Sequence, residues 1–400
     1  MTQTNEHPTF SFGLARRLID ERLSELSLPL RQEISLPLHE NPETAYKEFF
    51  AHDLIVNYLA SLGFQIKKST WKLQTSFEAI FGDGGRQVVF CAEYDALPDL
   101  GHACGHNLIA CSSVGAFLGA AHVMAKMKIP GRLRLLGTPA EEGLCGKSVL
   151  IDAGAFNPPE DIAAAIMAHA IPASLMNFGP GVSGIAGFKF NASHIFKVEF
   201  TGQAAHAAGE PWKGVNALDA AVGAYTNIAL LRQQTFPDER IHGVIEHGGM
   251  VPGIIPDYSR MMWYVRAPTI QRADRLLKRV KASRQLFMNM RANGALCGAY
   301  IEDMASFGAN VVMDAEPTAA STDMGNVSHI VPSFHGGFVI PAEPTTTLHT
   351  PEFAAAAKTQ EAHDAAIKAA MGMAMTAVRV LVDDNIAAAA RADFEKDDDV

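Results

Sequence analysis

The chain has 400 residues, of which 48% are hydrophobic and 19% are charged. This length predicts roughly two or three domains, with a core that needs no covalent staples. The formal net charge is −10 and no lysine- or arginine-rich run occurs, which disfavours a nucleic-acid partner.

The cysteine pattern and the uncharged segments bear on compartment and membrane association. Five cysteines lie at 91, 104, 111, 145 and 297; the odd number and the lack of a C-x-x-C pair favour a reducing compartment over a disulfide framework. The N-terminal residues do not resemble a secretory signal. The uncharged stretch 162–188 contains prolines and glycines, which are typical of a buried strand with loops. We therefore expect a cytoplasmic protein without a membrane partner.

The first 190 residues alternate helical and strand-like segments. Helical periodicity covers much of 10–62 and 106–127, and 146–154 is a further predicted helix. Predicted strands lie at 64–69, 76–82, 86–94, 131–139 and 161–169. Runs of apolar residues that alternate with helices predict an α/β fold with a mostly parallel sheet covered by helices.

The pattern changes after about Asn191. Segment 194–202 alternates apolar and polar residues, as a half-exposed antiparallel strand does. Helices at 215–233 and 269–292 and strands at 240–248, 258–268 and 294–303 follow. This β-α-β-β-α-β order predicts an inserted α/β sandwich of ferredoxin-like type. The predicted organisation is a catalytic domain at 1–190 and 309–400, interrupted by an inserted domain at 191–308.

Several polar residues stand just beyond apolar runs of the first domain, where ligands bind in open parallel sheets. They comprise one thiol, three imidazoles and three carboxylates: Asp95, Cys104, His106, Glu141, Glu142, His169 and His349. Such a set at one edge of a sheet predicts a metal site.

The donor types narrow the choice of metal. Thiolate with imidazole suits Zn²⁺, while carboxylate with imidazole also accepts Mn²⁺. A position at a helix N-terminus predicts a lowered pKa for the Cys104 thiol. One catalytic zinc uses about three protein ligands, so two metals that share Cys104 explain the larger set. Of the adjacent pair, one of Glu141 and Glu142 can bind metal while the other acts as a general base.

Six segments together carry a family resemblance. In chain order they are "AEYDALPDLGHACGHN", "GTPAEEGLCGK", "MAHAIPA", "GQAAHAA", "STDMGNVSHIVP" and "LHTPEF". They resemble the signature blocks of the aminoacylase/carboxypeptidase-type dinuclear metallopeptidases, in the branch of p-aminobenzoyl-glutamate hydrolases and β-alanyl-lysine-type dipeptidases. The resemblance extends from about His39 to Phe353.

The resemblance implies a role for each matching residue of the first domain. It implies two divalent metal ions per subunit, Zn²⁺ or alternatively Mn²⁺, with five protein ligands: Cys104, His106, Glu142, His169 and His349. Cys104 would bridge the two ions and Glu141 would be the general base. Asp95 would lie behind the metals and orient a ligand.

The resemblance also assigns residues of the inserted domain. His206 matches a histidine that polarises the scissile carbonyl, in dimeric members from the neighbouring subunit, which implies a homodimer through this domain. Asn216 and Arg266 match positions that bind a substrate carboxylate, although Asn216 could equally be a helix N-cap and Arg266 part of an ion pair. Gly253 departs from the family, which usually has an asparagine there.

The resulting hypothesis is a metal-dependent amidohydrolase that cleaves N-acyl amino acids, aryl-amide amino acid conjugates or dipeptides with a free carboxylate. Two alternatives remain open. The first is a ligand-binding member of the same scaffold with little or no activity, which the departure at Gly253 leaves open. The second is a hydrolase in which Cys104 is the nucleophile, against which the number of additional metal-type ligands argues.

Overall fold

The computed structural model describes residues 10–142, 145–172, 181–280, 286–287, 289–313 and 322–396. It divides the chain into two compact units. The first comprises Met1–Lys189, Arg291–Glu316 and Asn326–Val400, and the second Phe190–Met290 and Pro317–Gly325. The second unit therefore interrupts the first, and it begins at Phe190.

The helices and strands of the described residues fall into three consecutive parts of the chain. Up to residue 189 they are α1 (Phe12–Leu30), α2 (Leu36–Glu40), α3 (Phe49–Ser61), β1 (Ile66–Lys68), β2 (Phe77–Asp83), β3 (Gln87–Ala92), α4 (His106–Met127), β4 (Gly131–Gly137), α5 (Gly146–Asp152), β5 (Ile162–Pro172) and β6 (Gly184–Ile185). The inserted segment contains β7 (Ala192–Thr201), α6 (Ala217–Leu231), β8 (Arg240–His247), β9 (Tyr258–Ala267), α7 (Ile270–Val280) and β10 (Leu286–Phe287). The remainder contains α8 (Gly294–Ser306), β11 (Val311–Val312), α9 (Met324–Ser328), β12 (Ser333–Ile340), α10 (Pro351–Ala356), α11 (Gln360–Val382) and α12 (Asp384–Phe394).

The first unit is built on an eight-stranded sheet in the order β1-β2-β4-β3-β5-β12-β6-β11. The central strands β4, β3, β5 and β12 pair in parallel, while β1, β2 and β4 pair antiparallel. Every residue of β3 is buried, as expected for a strand covered on both faces. The predicted α/β fold with a mostly parallel sheet is confirmed.

Two long helices, α4 and α11, pack against each other in the core of this unit. Both are long and apolar enough to cross a membrane, but 89% and 83% of their apolar windows are buried inside the protein. A Cβ added at Gly115 or Gly119 of α4 would lie 3.2 Å from Ala370 or 3.5 Å from Ala374 of α11. The small residues therefore allow a close approach of the two helices, and their apolar surface forms protein core.

The second unit contains a four-stranded antiparallel sheet in the order β10-β7-β9-β8. Its elements follow the predicted β-α-β-β-α-β order. The last strand of this pattern, however, is β10, and not the predicted segment 294–303.

Segment 294–303 is a correction to the predicted strand and to the predicted boundary at 308. It belongs to helix α8, whose N-cap Asn293 accepts a hydrogen bond from the Leu296 N–H, and to the first unit. Leu296 and Tyr300 are buried in the core of that unit. Their four-residue spacing places both on one helix face, but a short apolar run does not distinguish a strand from a helix by periodicity alone.

Candidate metal centre

The predicted ligands Cys104 and His106 flank Gly105, the N-cap of α4. Gly105 has a φ of +82°, and a Cβ there would lie 3.2 Å from both Ala170 and Phe353. The left-handed backbone favours glycine at this position, and the two close neighbours leave little room for a larger side chain. The turn thereby sets the directions of the two neighbouring side chains.

His169, near the end of β5, lies against this pair. Its Nε2 is 3.5 Å from Cys104 Sγ, and its Nδ1 is 2.7 Å from the Ala170 carbonyl oxygen. A carbonyl only accepts, so Nδ1 carries the proton and the lone pair of Nε2 points to the thiol. Burial, together with the charge of His106, lowers the pKa of His169 to about 4, which keeps it in the neutral form that binds metal.

Glu142 connects the remaining imidazoles. Its Oε1 is 3.7 Å from His349 Nε2 and 3.9 Å from His106 Nε2. Three sets have donor atoms that all lie within 4.8 Å of one another: Cys104 with His106 and His169, Cys104 with Glu142 and His349, and His106 with Glu141 and Glu142. The five predicted ligands and Glu141 thus form one cluster within the first unit, and Cys104 belongs to two of the sets.

Asp95 lies behind this cluster. Its Oδ1 is 3.2 Å from His106 Nδ1, and its Oδ2 accepts the N–H of Glu142 at 2.9 Å. Burial would raise the pKa of Asp95, but the adjacent His106 holds it below its usual value. The carboxylate therefore binds Nδ1 of the ring and leaves Nε2 to face the cluster.

Two atoms of the cluster show that a divalent metal fits. His106 Nε2 and Glu142 Oε1 are buried and have no hydrogen-bond partner within the described part of the chain. A buried polar atom without a partner costs free energy, whereas a metal ion satisfies nitrogen, oxygen and sulfur donors together. Thiolate, imidazole and carboxylate are the donors that Zn²⁺ accepts.

The expected lowering of the Cys104 pKa is wrong. Burial and the charge of Glu142 raise the pKa of this thiol well above its ordinary value. Cys104 precedes the N-cap and is only 7% exposed. Loss of solvation therefore raises its pKa by more than the N–H groups at the helix N-terminus lower it. A metal cation would deprotonate the thiol, while without one Cys104 is a poor nucleophile.

Three predicted residues belong to the second unit. His206 is exposed, and its Nδ1 accepts hydrogen bonds from the N–H groups of Ala208 at 3.2 Å and Gly209 at 3.0 Å. The proton of the neutral ring is therefore on Nε2. Gly253, the position that departs from the family, lies close to His206 in this unit. Its carbonyl accepts the Ala207 N–H. A Cβ added at Gly253 would meet no atom within 4 Å.

The two candidate carboxylate-binding residues have contacts of their own. Asn216 is the N-cap of α6, and its Oδ1 accepts the N–H groups of Leu218 at 2.9 Å and Asp219 at 3.3 Å. The guanidinium of Arg266 lies over the Tyr264 ring, 5.1 Å from its centroid. The helix-cap interpretation of Asn216 is therefore correct for its oxygen, and only its amide nitrogen is left to donate to a ligand.

Three buried residues next to the cluster are absent from the set predicted from the sequence. Glu93 follows β3 directly and lies 3.6 Å from His106, so the rule that identified Asp95 could have included it. Lys147 binds Glu93, and no sequence signal distinguishes a buried lysine from an exposed one. Glu48 accepts the N–H of Ala140 at 2.9 Å, one residue before Glu141.

Glu48 supports a strained turn. Ala140 has a φ of +63°, a left-handed conformation that is unfavourable for alanine. Glu48 also accepts hydrogen bonds from the Thr75 hydroxyl and the Tyr46 N–H, both at 2.9 Å. Burial, together with the charge of Asp95, raises the pKa of Glu48 to about 7. The turn that presents the Glu141-Glu142 pair is thus fixed from behind by a buried side chain.

A parallel sheet that carries a thiol, imidazoles and paired carboxylates at one end defines a metal-dependent hydrolase. The family model of peptidase family M20/M25/M40 matches residues 89–371. The chain belongs to this family, and the predicted metal-dependent amidohydrolase is confirmed as its enzyme class.

Individual relatives agree with this assignment. The chain is 35% identical to a Mus musculus Xaa-Arg dipeptidase, with 96% of this chain and 92% of the relative covered. It is 27% identical to one of the subunits of the p-aminobenzoyl-glutamate hydrolase of Escherichia coli, with 66% and 56% covered. A Bacillus subtilis structure described as a dinuclear metal binding peptidase of the M20 family has a TM-score of 0.61 at 20% identity, with 93% and 99% covered. The fold of this chain is that of the M20 peptidases.

Proposed function

We propose that this enzyme hydrolyses dipeptides and N-acyl amino acids, including aryl-amide conjugates, that end in a free carboxylate. The cluster of Cys104, His106, Glu142, His169 and His349 carries the proposal, because its buried His106 Nε2 and Glu142 Oε1 lack hydrogen-bond partners in the described residues. Relatives named as a dipeptidase and an aminobenzoyl-glutamate hydrolase support this substrate class.

These five residues would hold two divalent ions, Zn²⁺ or alternatively Mn²⁺, with Cys104 common to both. When bound, such ions polarise a carbonyl group and make water a stronger acid. The two sets of donors that contain Cys104 support this arrangement. Asp95 supports it as well, since its bond to His106 Nδ1 keeps Nε2 as the donor atom.

The protein's own side chains move the protons. In the proposal a Glu141 carboxylate oxygen takes a proton from the attacking water and delivers it to the nitrogen of the leaving amine. His206 donates from Nε2 to the developing oxyanion, which its Nδ1 acceptor bonds favour. The Arg266 guanidinium and the Asn216 amide nitrogen would bind the substrate carboxylate.

Metal analysis followed by a substrate screen tests the proposal. We expect about two equivalents of Zn²⁺ or Mn²⁺ per subunit and hydrolysis within a panel of dipeptides with neutral or basic C-terminal residues, N-acyl amino acids and p-aminobenzoyl-glutamate. Protein that holds two equivalents and hydrolyses no member of the panel would instead support the non-catalytic alternative, which Gly253 motivates.

We also propose a homodimer formed through the inserted unit. Strand β8 is at one edge of its sheet, and Val244 on it is 60% exposed, while Leu230 on α6 is 71% exposed. An exposed apolar edge strand is a surface on which another chain can pair. Light scattering is expected to give a dimer for the wild type and a monomer for Leu230→Glu combined with Val244→Lys.

A matched control for this prediction is Leu28→Lys, which changes an equally apolar side chain of the first unit that is 59% exposed. We expect this variant to remain dimeric. A monomeric wild type, or a double variant that stays dimeric, would contradict the proposed interface.

If His206 acts on the neighbouring subunit, two inactive variants complement each other. A heterodimer of Glu141→Gln and His206→Ala contains one site with both groups intact only when His206 comes from the partner. After unfolding and refolding of an equal mixture, about a quarter of wild-type activity is expected. No gain over the separate variants would show that His206 acts within its own subunit or not at all.

We propose the cytoplasm as the location. The five cysteines are all buried and include no C-x-x-C pair, a pattern that is typical of a protein kept in a reducing compartment.

A further inference from the structure

A buried ion pair lies beside the proposed metal centre. Glu93, just after β3, is 1% exposed, and Lys147, in the first turn of α5, is 0% exposed. Their charged groups are 2.5 Å apart, from Lys147 Nζ to Glu93 Oε1. Burial of such a pair has a desolvation cost that its attraction barely offsets, so the pair is weak evidence for a role in stability.

The second oxygen of Glu93 points to the metal cluster. Glu93 Oε2 is 3.6 Å from His106 Nε2, the ring nitrogen that Asp95 leaves for a metal. Donor atoms bound to one tetrahedral ion at about 2.0–2.1 Å are separated by about 3.4 Å. The observed separation therefore suits two atoms that share one ion.

The negative charges of the cluster explain why Lys147 is buried beside Glu93. The cluster already contains Cys104, Glu141 and Glu142 within one small buried volume, and Asp95 lies behind it. A further carboxylate there would be repelled by the others when no metal is bound. The ammonium of Lys147 offsets the charge of Glu93 and holds its side chain through Oε1.

We propose that Glu93 is a further metal-binding residue of the centre and that Lys147 is the positioning residue that holds it and moderates its charge. The inference rests on the proposed metal centre, because it concerns which side chains face the ion. It predicts that substitution of Glu93 and substitution of Lys147 change the metal affinity in opposite directions.

Metal titration of the stripped protein with Zn²⁺ and with Mn²⁺ tests this prediction. Glu93→Gln keeps the shape and an oxygen for Lys147 but removes the charge, and we expect metal affinity to fall at least about 10-fold, the smallest loss typical of an outer-shell partner. Lys147→Met leaves the Glu93 charge to the metal, so affinity is expected to rise. The metal-free Lys147→Met protein should melt at a lower temperature than the wild type, and metal should restore most of the difference.

Arg134→Met is the matched control, because Arg134 and Glu78 form another buried ion pair of the same unit, with 3.4 Å between Nη1 and Oε2. It should lower the melting temperature equally with and without metal and leave the affinity unchanged. If Glu93→Gln and Lys147→Met behave like this control, the pair is only structural and the inference is wrong. Should Lys147→Met fail to fold, an unchanged affinity in Glu93→Gln overturns the inference by itself.

The wild-type titration separates this inference from the proposed function. A wild type that binds no metal contradicts the metal centre as a whole. A wild type that binds two ions, together with a Glu93→Gln variant of equal affinity, contradicts only the assignment of Glu93.

Discussion

Glu141→Gln is expected to retain two metal ions while kcat falls about 10²- to 10⁴-fold, the usual contribution of a general base. Glutamine has nearly the same shape but cannot accept the proton of the attacking water. Glu141 is only 9% exposed and has an oxygen within 4.8 Å of the donor atoms of His106 and Glu142. KM should change little, because the carboxylate acts on the reacting water and not on the bound substrate.

Steady-state kinetics and metal analysis of the same preparation check this result. Glu160→Gln serves as a control, because Glu160 is an exposed carboxylate on the first unit and its loss should leave kcat unchanged. Glu142→Gln, by contrast, should lose metal. Loss of metal from Glu141→Gln would make Glu141 a ligand, and near-normal turnover would exclude it as the base.

The second large effect is expected from Cys104→Ala, which should release both metals and abolish measurable hydrolysis. Cys104 is present in two of the three donor sets, so one substitution removes a donor from each ion. Chelation of the wild type should have the same effect, and added Zn²⁺ or Mn²⁺ should restore activity. Cys104→Ser is expected to bind metal more weakly than the wild type, because its oxygen is a poor substitute for a thiolate.

Cys111→Ala is the matched control for the loss of a buried thiol. Cys111 lies in α4, where its Sγ is 3.7 Å from His363 Nδ1, and burial raises its pKa to about 12. Its replacement leaves a small cavity but should keep both metals and normal turnover. A chelated wild type that still hydrolyses substrate, and that thiol alkylation inactivates, would instead support Cys104 as a nucleophile.

Much of the site can be predicted because it obeys a local rule. In a parallel sheet the carboxyl ends of the strands lie at one edge, so residues 95, 141, 142 and 169, which come just after or at the end of apolar runs, are expected near one another. His106 is also expected at the start of its helix, and α4 begins there. The sequence predicts a strand at helix α8 because the periodicity of its short apolar run is ambiguous. Its helical form is stabilised by packing of Tyr300 and Met304 against Gly372 of α11, a residue distant in sequence.

The sequence by itself determined the chemical types of the donors, their order along the chain and the family to which they belong. Only the tertiary structure decided which atoms face each other. Asp95 binds Nδ1 of His106, so that Nε2 is the donor, and Lys147 binds Glu93 from 54 residues away. Side-chain types and periodicity are local properties, whereas the partner of a buried charge depends on the packing of several elements and on the cost of leaving that charge unpaired.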